Sequence, residues 1–172
     1  VGAAGVESLL LEAPADLPAG LFAVVDSHGQ RKDGALPISA GLSVTRALRD
    51  EEGRALDPAS LVVGQLVYVQ LVLASPVGRT HNVALVERLP AGWEIENPAL
   101  SGAELPPWAA ELAGWSLEHR DLRDDRVAAF GTLGPKPVCL VYAARVVSAG
   151  SFTWPGALVE AMYEPQLRAR TA

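Results

Sequence analysis

Leu66-Val67-Tyr68-Val69-Gln70-Leu71-Val72-Leu73 decides the fold. Successive side chains of a β-strand point to opposite faces. Here Val67, Val69, Leu71 and Leu73 make one face wholly apolar, while the face with Gln70 is mixed. Such a segment turns one side to a core and lets the other meet water. Similar runs lie on both sides of it: Ser8 to Leu11, Gly20 to Asp26, Leu42 to Arg49, Val83 to Arg88, Arg126 to Leu133, Val138 to Val147 and Gly150 to Trp154. Between them 16 Gly and 13 Pro are spread along the chain. Short apolar runs at fairly even spacing, punctuated by turn formers, predict an all-β fold, an antiparallel β-sandwich.

The turns agree with this reading. Asp50-Glu51-Glu52-Gly53 closes a hairpin or tight loop, and Leu89-Pro90-Ala91-Gly92 has Pro and Gly where β-turns use them. Arg123-Asp124-Asp125-Arg126 is a polar turn. One stretch departs from the pattern. Pro106 to Ala113 is rich in Ala, Glu, Leu and Trp and stops at Gly114. Prolines are tolerated in a first helical turn, so a short helix is expected over 106–113. Trp108, Leu112 and Trp115 would share a face of it and cap one open end of the sandwich. Residues 1–38 read as a separate unit, either a hairpin or the tail of a preceding domain, with the sandwich over 39–172.

The 172 residues suit one domain or a domain with a small attachment, and their net charge of −6 argues against a nucleic-acid partner. No apolar run approaches the ~20 residues that span a bilayer. The opening Val1-Gly2-Ala3-Ala4 lacks a signal-peptide pattern. The chain is expected to be a piece of a longer protein, with any export signal upstream. The single cysteine, Cys139, sits in an apolar run and reads as a buried core thiol.

Catalytic sets are missing from the pattern. His28, His81 and His119 share no metal-ligand spacing with one another or with Cys139. Asp121, Asp124 and Asp125, with Glu118 nearby, lie among Arg120, Arg123 and Arg126, and opposite charges that close tend to pair. There is no Gly-x-Ser-x-Gly elbow, and Gly131-Thr132-Leu133-Gly134 lacks the Lys of a phosphate loop. The expectation is a binding module, with no enzyme activity, metal or cofactor.

The residues to watch are near the end. Met162-Tyr163-Glu164-Pro165 crowd a flexible thioether, a ring with a polar tip and a stiff imide beyond the last obvious strand. Pro165 is expected to stop a strand from continuing. Packing onto their own sandwich is the ordinary fate of such side chains; a docking knob is the alternative.

Several segments in order carry a resemblance. They are Gly41-Leu42-Ser43-Val44-Thr45-Arg46, Val63-Gly64-Gln65-Leu66-Val67, and the run from Val83 through Leu89-Pro90-Ala91-Gly92-Trp93-Glu94-Ile95-Glu96-Asn97-Pro98. Arg120 to Arg126 and the Met162-Tyr163-Glu164-Pro165 ending complete them. Together they resemble the C-terminal macroglobulin-like domain of bacterial alpha-2-macroglobulins, from about Gly41 onward. The resemblance implies part of a periplasmic protein that traps proteases by means of a Cys–Gln thioester in a separate domain. It also implies that Met162, Tyr163 and Pro165 bind the thioester domain of the same parent chain and shield that bond. The chain has no Cys-x-Glu-Gln motif, so the bond itself lies elsewhere. A structural or adhesive domain of a bacterial surface protein is the alternative; a hydrolase built on Asp121, Asp124 or Asp125 is the third reading.

Overall fold

The computed structural model describes residue 24 and residues 36–97, 104–112 and 114–172. The chain splits into two units, 1–32 and 33–172, and the described residues belong almost entirely to the second. The strands expected at 8–11 and 20–26, and His28, fall outside the description, Val24 excepted.

The elements follow in order: β1 Ile38–Ala40, β2 Ser43–Arg49, β3 Leu66–Ala74, β4 Thr80–Arg88, β5 Trp93–Glu96, α1 Pro107–Leu112, β6 Leu117–Arg123, β7 Arg126–Leu133, β8 Val138–Val146, β9 Leu158–Ala161 and β10 Glu164–Arg170. They form two sheets, six strands in the order β1-β10-β9-β4-β7-β6 and four in the order β2-β3-β8-β5. Every neighbouring pair is antiparallel. β1 lies across the expected 38/39 boundary and pairs with β10. The apolar face of β3, Val67, Val69, Leu71 and Leu73, meets Val83 and Leu85 of β4, Val127 and Ala129 of β7 and Val159 of β9 between the sheets. The β-sandwich read from Leu66 to Leu73 is therefore the observed fold.

β8 explains its own composition. Leu140, Tyr142, Ala144 and Val146 face the main core, while Cys139, Val141 and Ala143 join Tyr68 in a second cluster. Helix α1 covers that second cluster through Ala109, which is fully buried, and Trp108. A strand covered on both faces reads as a continuous apolar run. Burial raises the pKa of the Cys139 thiol, opposed by a hydrogen bond from Gln70. The helix thus lies on the outer face of the four-stranded sheet, not over an open end. Trp108 meets Tyr68 edge-on at 5.9 Å and donates from Nε1 to the Glu51 carbonyl at 2.9 Å. Leu112 is exposed. Trp115, beyond Gly114, swings into the main core and donates to the Thr132 carbonyl at 3.1 Å. The three side chains expected on one helical face are therefore dispersed, because the helix ends a turn too soon to carry Trp115.

The stretch Gly150 to Trp154 forms no strand. It belongs to the connection from β8 to β9, which crosses from one sheet to the other. Phe152 rests where a Cβ on Gly92 or Gly150 would collide with its ring. Anchoring an aromatic, rather than alternating between faces, is what made this segment apolar. β6 went unread for the opposite reason. Leu-Glu-His-Arg-Asp-Leu-Arg is a sheet edge, and charged side chains on an edge discourage pairing with other chains.

A polar lock sits in the core. Glu87 is in phase with Val83 and Leu85 and points inward with none of its surface exposed. Arg46, in phase with Val44 and Leu48 on the other sheet, approaches its Oε1 at 3.0 Å. Tyr142 donates to the same oxygen at 3.3 Å and Trp154 Nε1 at 3.0 Å. The Arg46 guanidinium also donates to the Pro155 carbonyl at 2.6 Å and lies 3.8 Å from the Trp154 ring centroid. Among the described residues no buried side-chain nitrogen or oxygen lacks a hydrogen-bond partner. Burial raises the Glu87 pKa, while Arg46 and the hydrogen bonds from Trp154 and Tyr142 oppose it. Burial, with the Glu87 charge beside it, pushes the Tyr142 phenol well above its ordinary value, so it remains a donor.

Candidate functional site

The sheets place the marked residues on a turn between two strands. Ala161 of β9 pairs with Glu164 of β10, leaving Met162 and Tyr163 as the two residues of a hairpin loop. The chain therefore does not run out of strands at the knob, as the sequence suggested. β10 begins at Glu164 and contains Pro165. The pairing of β9 with β10 is irregular between Glu164 and Arg168. Proline, which has no N–H to give a ladder, is tolerated where a ladder is broken.

The turn also explains that irregularity. Asn82 is the one non-glycine among the described residues with a positive φ, so Met162 and Tyr163 keep ordinary backbone. A two-residue hairpin without positive φ splays its strands, and the irregular stretch after Glu164 absorbs the splay. Asn82 supplies the third anchor. Its φ of 51° and the register shift between Thr80 and Val83 turn its carbonyl toward the hairpin, where it accepts from Met162 N at 2.9 Å. Asn tolerates this left-handed backbone better than branched residues do. Asn82→Val is accordingly expected to lower stability by about 1–2 kcal/mol, and Asn82→Gly to be nearly neutral in urea unfolding.

This backbone presents its side chains outward. Met162 is 51% exposed and Tyr163 79% exposed. Pro165 is exposed as well. The turn offers a thioether, an aromatic ring with a hydroxyl, and a pyrrolidine. These are contact groups, suited to an apolar partner surface with one hydrogen-bond acceptor. A buried Tyr163, which would have favoured a purely structural or adhesive domain, is not what the chain shows.

The other candidates are not brought together. His81 Nδ1 lies 3.2 Å from Thr132 Oγ1, and His119 stacks on Phe130 with centroids 6.0 Å apart. Among the described residues no three His, Cys, Asp or Glu are grouped so as to hold a metal ion. Asp121 pairs with Arg123 at 2.7 Å, and that hydrogen bond holds its carboxyl below the usual range. Asp125 pairs with Arg126 at 3.1 Å. Asp124 lines a cleft of about 440 Å³ with Glu94 and Arg123, so an arginine stands among those acids too. At the opposite end of the sandwich from Tyr163, a cleft of about 710 Å³ is lined by Val62, Val63, Trp93 and Phe152, with no titratable side chain among its lining. The sequence reading missed the Arg46–Glu87 lock, although the phase of alternation in β2 and β4 was the signal for it.

The bacterial alpha-2-macroglobulin MG10 domain matches residues 41–166. Alpha-2-macroglobulin of Escherichia coli K12 is 34% identical over 162 residues, which are 88% of this chain and 10% of that protein. Alpha-2-macroglobulin of Xylella fastidiosa Temecula1 is 32% identical over 164 residues, 89% of this chain and 10% of that one. Among solved structures, native Escherichia coli alpha-2-macroglobulin spanning MG7 to its C-terminus superimposes with a TM-score of 0.76 at 32% identity, over 84% of this chain and 24% of that one. Salmonella alpha-2-macroglobulin reacted with methylamine gives a TM-score of 0.75 at 31% identity, over 84% and 9%. The chain spans about a tenth of the length of these curated relatives.

Proposed function

The chain belongs to the bacterial alpha-2-macroglobulin MG10 domain family, and from that premise we propose that it is a non-catalytic, C-terminal module of a periplasmic protease trap. Its Met162-Tyr163 turn, stiffened by Pro165, docks on the thioester domain of the same parent chain. There it keeps water and amines from the thioester until a protease triggers the parent. The trapped proteases are partners of the parent, not of this module.

The observation that carries this reading is the exposure of Tyr163 on a turn whose backbone is fixed at three places, by Ala161, Glu164 and Asn82. A thioester is a high-energy acyl donor that hydrolyses when wet. An apolar cover excludes water from such a centre. The cover has to release, which suits a turn better than a broad obligate interface. The Salmonella relative solved after reaction with methylamine supports the reading, because a small amine is the kind of nucleophile a lid would hold off.

Tyr163→Gly in the parent tests it. Burying an aromatic side chain contributes roughly 1.5–3 kcal/mol. Its removal is expected to open the docked state and speed amine uptake about ten- to a hundredfold before any protease is added. Tyr163→Phe should retain most of the protection. Uptake by Tyr163→Gly at the wild-type rate would overturn the shielding role.

A further inference from the structure

The Met162-Tyr163 turn shares its end of the sandwich with the loop between β3 and β4. That loop is held firmly. Ser75 N donates to the Gly134 carbonyl at 2.9 Å, and Gly78 N to the Ser75 carbonyl at 3.1 Å. Beneath it the Ser75 and Thr80 hydroxyls, both buried, meet at 2.7 Å. On this stapled loop Val77 is 65% exposed. A branched apolar side chain held out by a rigid loop is not the chance exposure of a loose one. Leu167, on the strand that leaves the hairpin, stands beside Val77. It lies four residues beyond Tyr163, and its Cδ2 stands 2.5 Å from where a Cβ on Gly41 would be, with Val77 Cγ1 3.8 Å from the same place. Gly41, with φ of 70°, leaves the space in which Leu167 and Val77 converge.

We propose that Val77 is a second apolar contact of the docking face, so that the β3–β4 loop and the β9–β10 turn seat together on one neighbouring domain of the parent chain. This deepens the shielding reading and rests on it. The occupant is a tethered domain because the face is small. A few apolar side chains fall well short of the roughly 800 Å² per partner of a stable separate complex. A domain of the same chain is instead present at an effective concentration on the order of millimolar. The relatives have room for it, since this chain spans about a tenth of their length.

Cysteine accessibility in the full-length, untriggered parent tests the proposal. Val77→Cys and Met162→Cys are labelled separately with a maleimide, and each site's rate, read by peptide mass, is compared with its rate in the unfolded protein. Both sites are expected to be slowed by about tenfold or more, as a docked state favoured ten to one would give. Less protection at Val77→Cys overturns the proposal. If Met162→Cys remains protected in that case, the shielding reading stands and Val77 alone is outside the interface; if both label freely, the reading falls with it.

Discussion

Arg46→Ala is expected to lower the stability of the domain by about 3–5 kcal/mol, the usual result of removing one partner of a buried ion pair. Glu87 would be left fully buried, with the hydroxyl of Tyr142 and the indole of Trp154 as its remaining donors. The loss would also leave the Pro155 carbonyl without that donor and uncover the face of the Trp154 ring, loosening the crossing between β8 and β9. Adding Glu87→Gln should recover part of the loss, because a neutral amide oxygen still accepts from Trp154 and Tyr142 without a buried charge. A double variant less stable than Arg46→Ala alone would refute the lock.

The pH dependence has a definite sign. Burial already raises the Glu87 pKa, and Arg46 opposes it. Without Arg46 the value climbs further. A carboxyl with a folded pKa above its unfolded one binds its proton more tightly in the folded state. That contribution to stability is complete below the unfolded value of 4.5 and is lost as pH rises through the folded value. The deficit of Arg46→Ala should therefore shrink near pH 4.5 and widen toward neutrality, measured by urea unfolding at each pH.

Leu85→Ala is expected to cost about 3–4 kcal/mol, within the range for leucines truncated in well-packed cores. Leu85 is fully buried on β4, paired with Ala129 of β7 on one side and Val159 of β9 on the other. With strands hydrogen-bonded on both flanks, the backbone cannot close on the cavity. At about 3 °C per kcal/mol for a domain of this size, the melting temperature should fall by roughly 10 °C. Val63→Ala, at a site 56% exposed, should change it little. A loss below about 1 kcal/mol at Leu85 would mean that β4 relaxes into the space.

The sheets were legible where alternation was clean. Leu66 to Ala74 and Arg126 to Leu133 stand as strands over the expected residues. Each has one face in the core, and period two is the direct trace of that. The helix was legible from its composition, but not its seat, because a six-residue helix carries too little pattern to say which face of which sheet it covers. Leu158–Ala161 and Glu164–Arg170 escaped for different reasons. The first is only four residues long, and in the second Pro165 and the irregular register hide the alternation. The turn residues Met162 and Tyr163 were conspicuous as chemistry. Their support from Asn82 was not, since a carbonyl turned by a bulge leaves no mark in side-chain identity.

β4 links the two ends of the domain. Asn82 holds the hairpin from below, and five residues on, about 17 Å along an extended chain, Glu87 is pinned by three side chains, Arg46, Tyr142 and Trp154. The strand behaves as a strut with one foot cast in the core. Loosening that foot is expected to reach the tip through the bond from Met162 N to the Asn82 carbonyl.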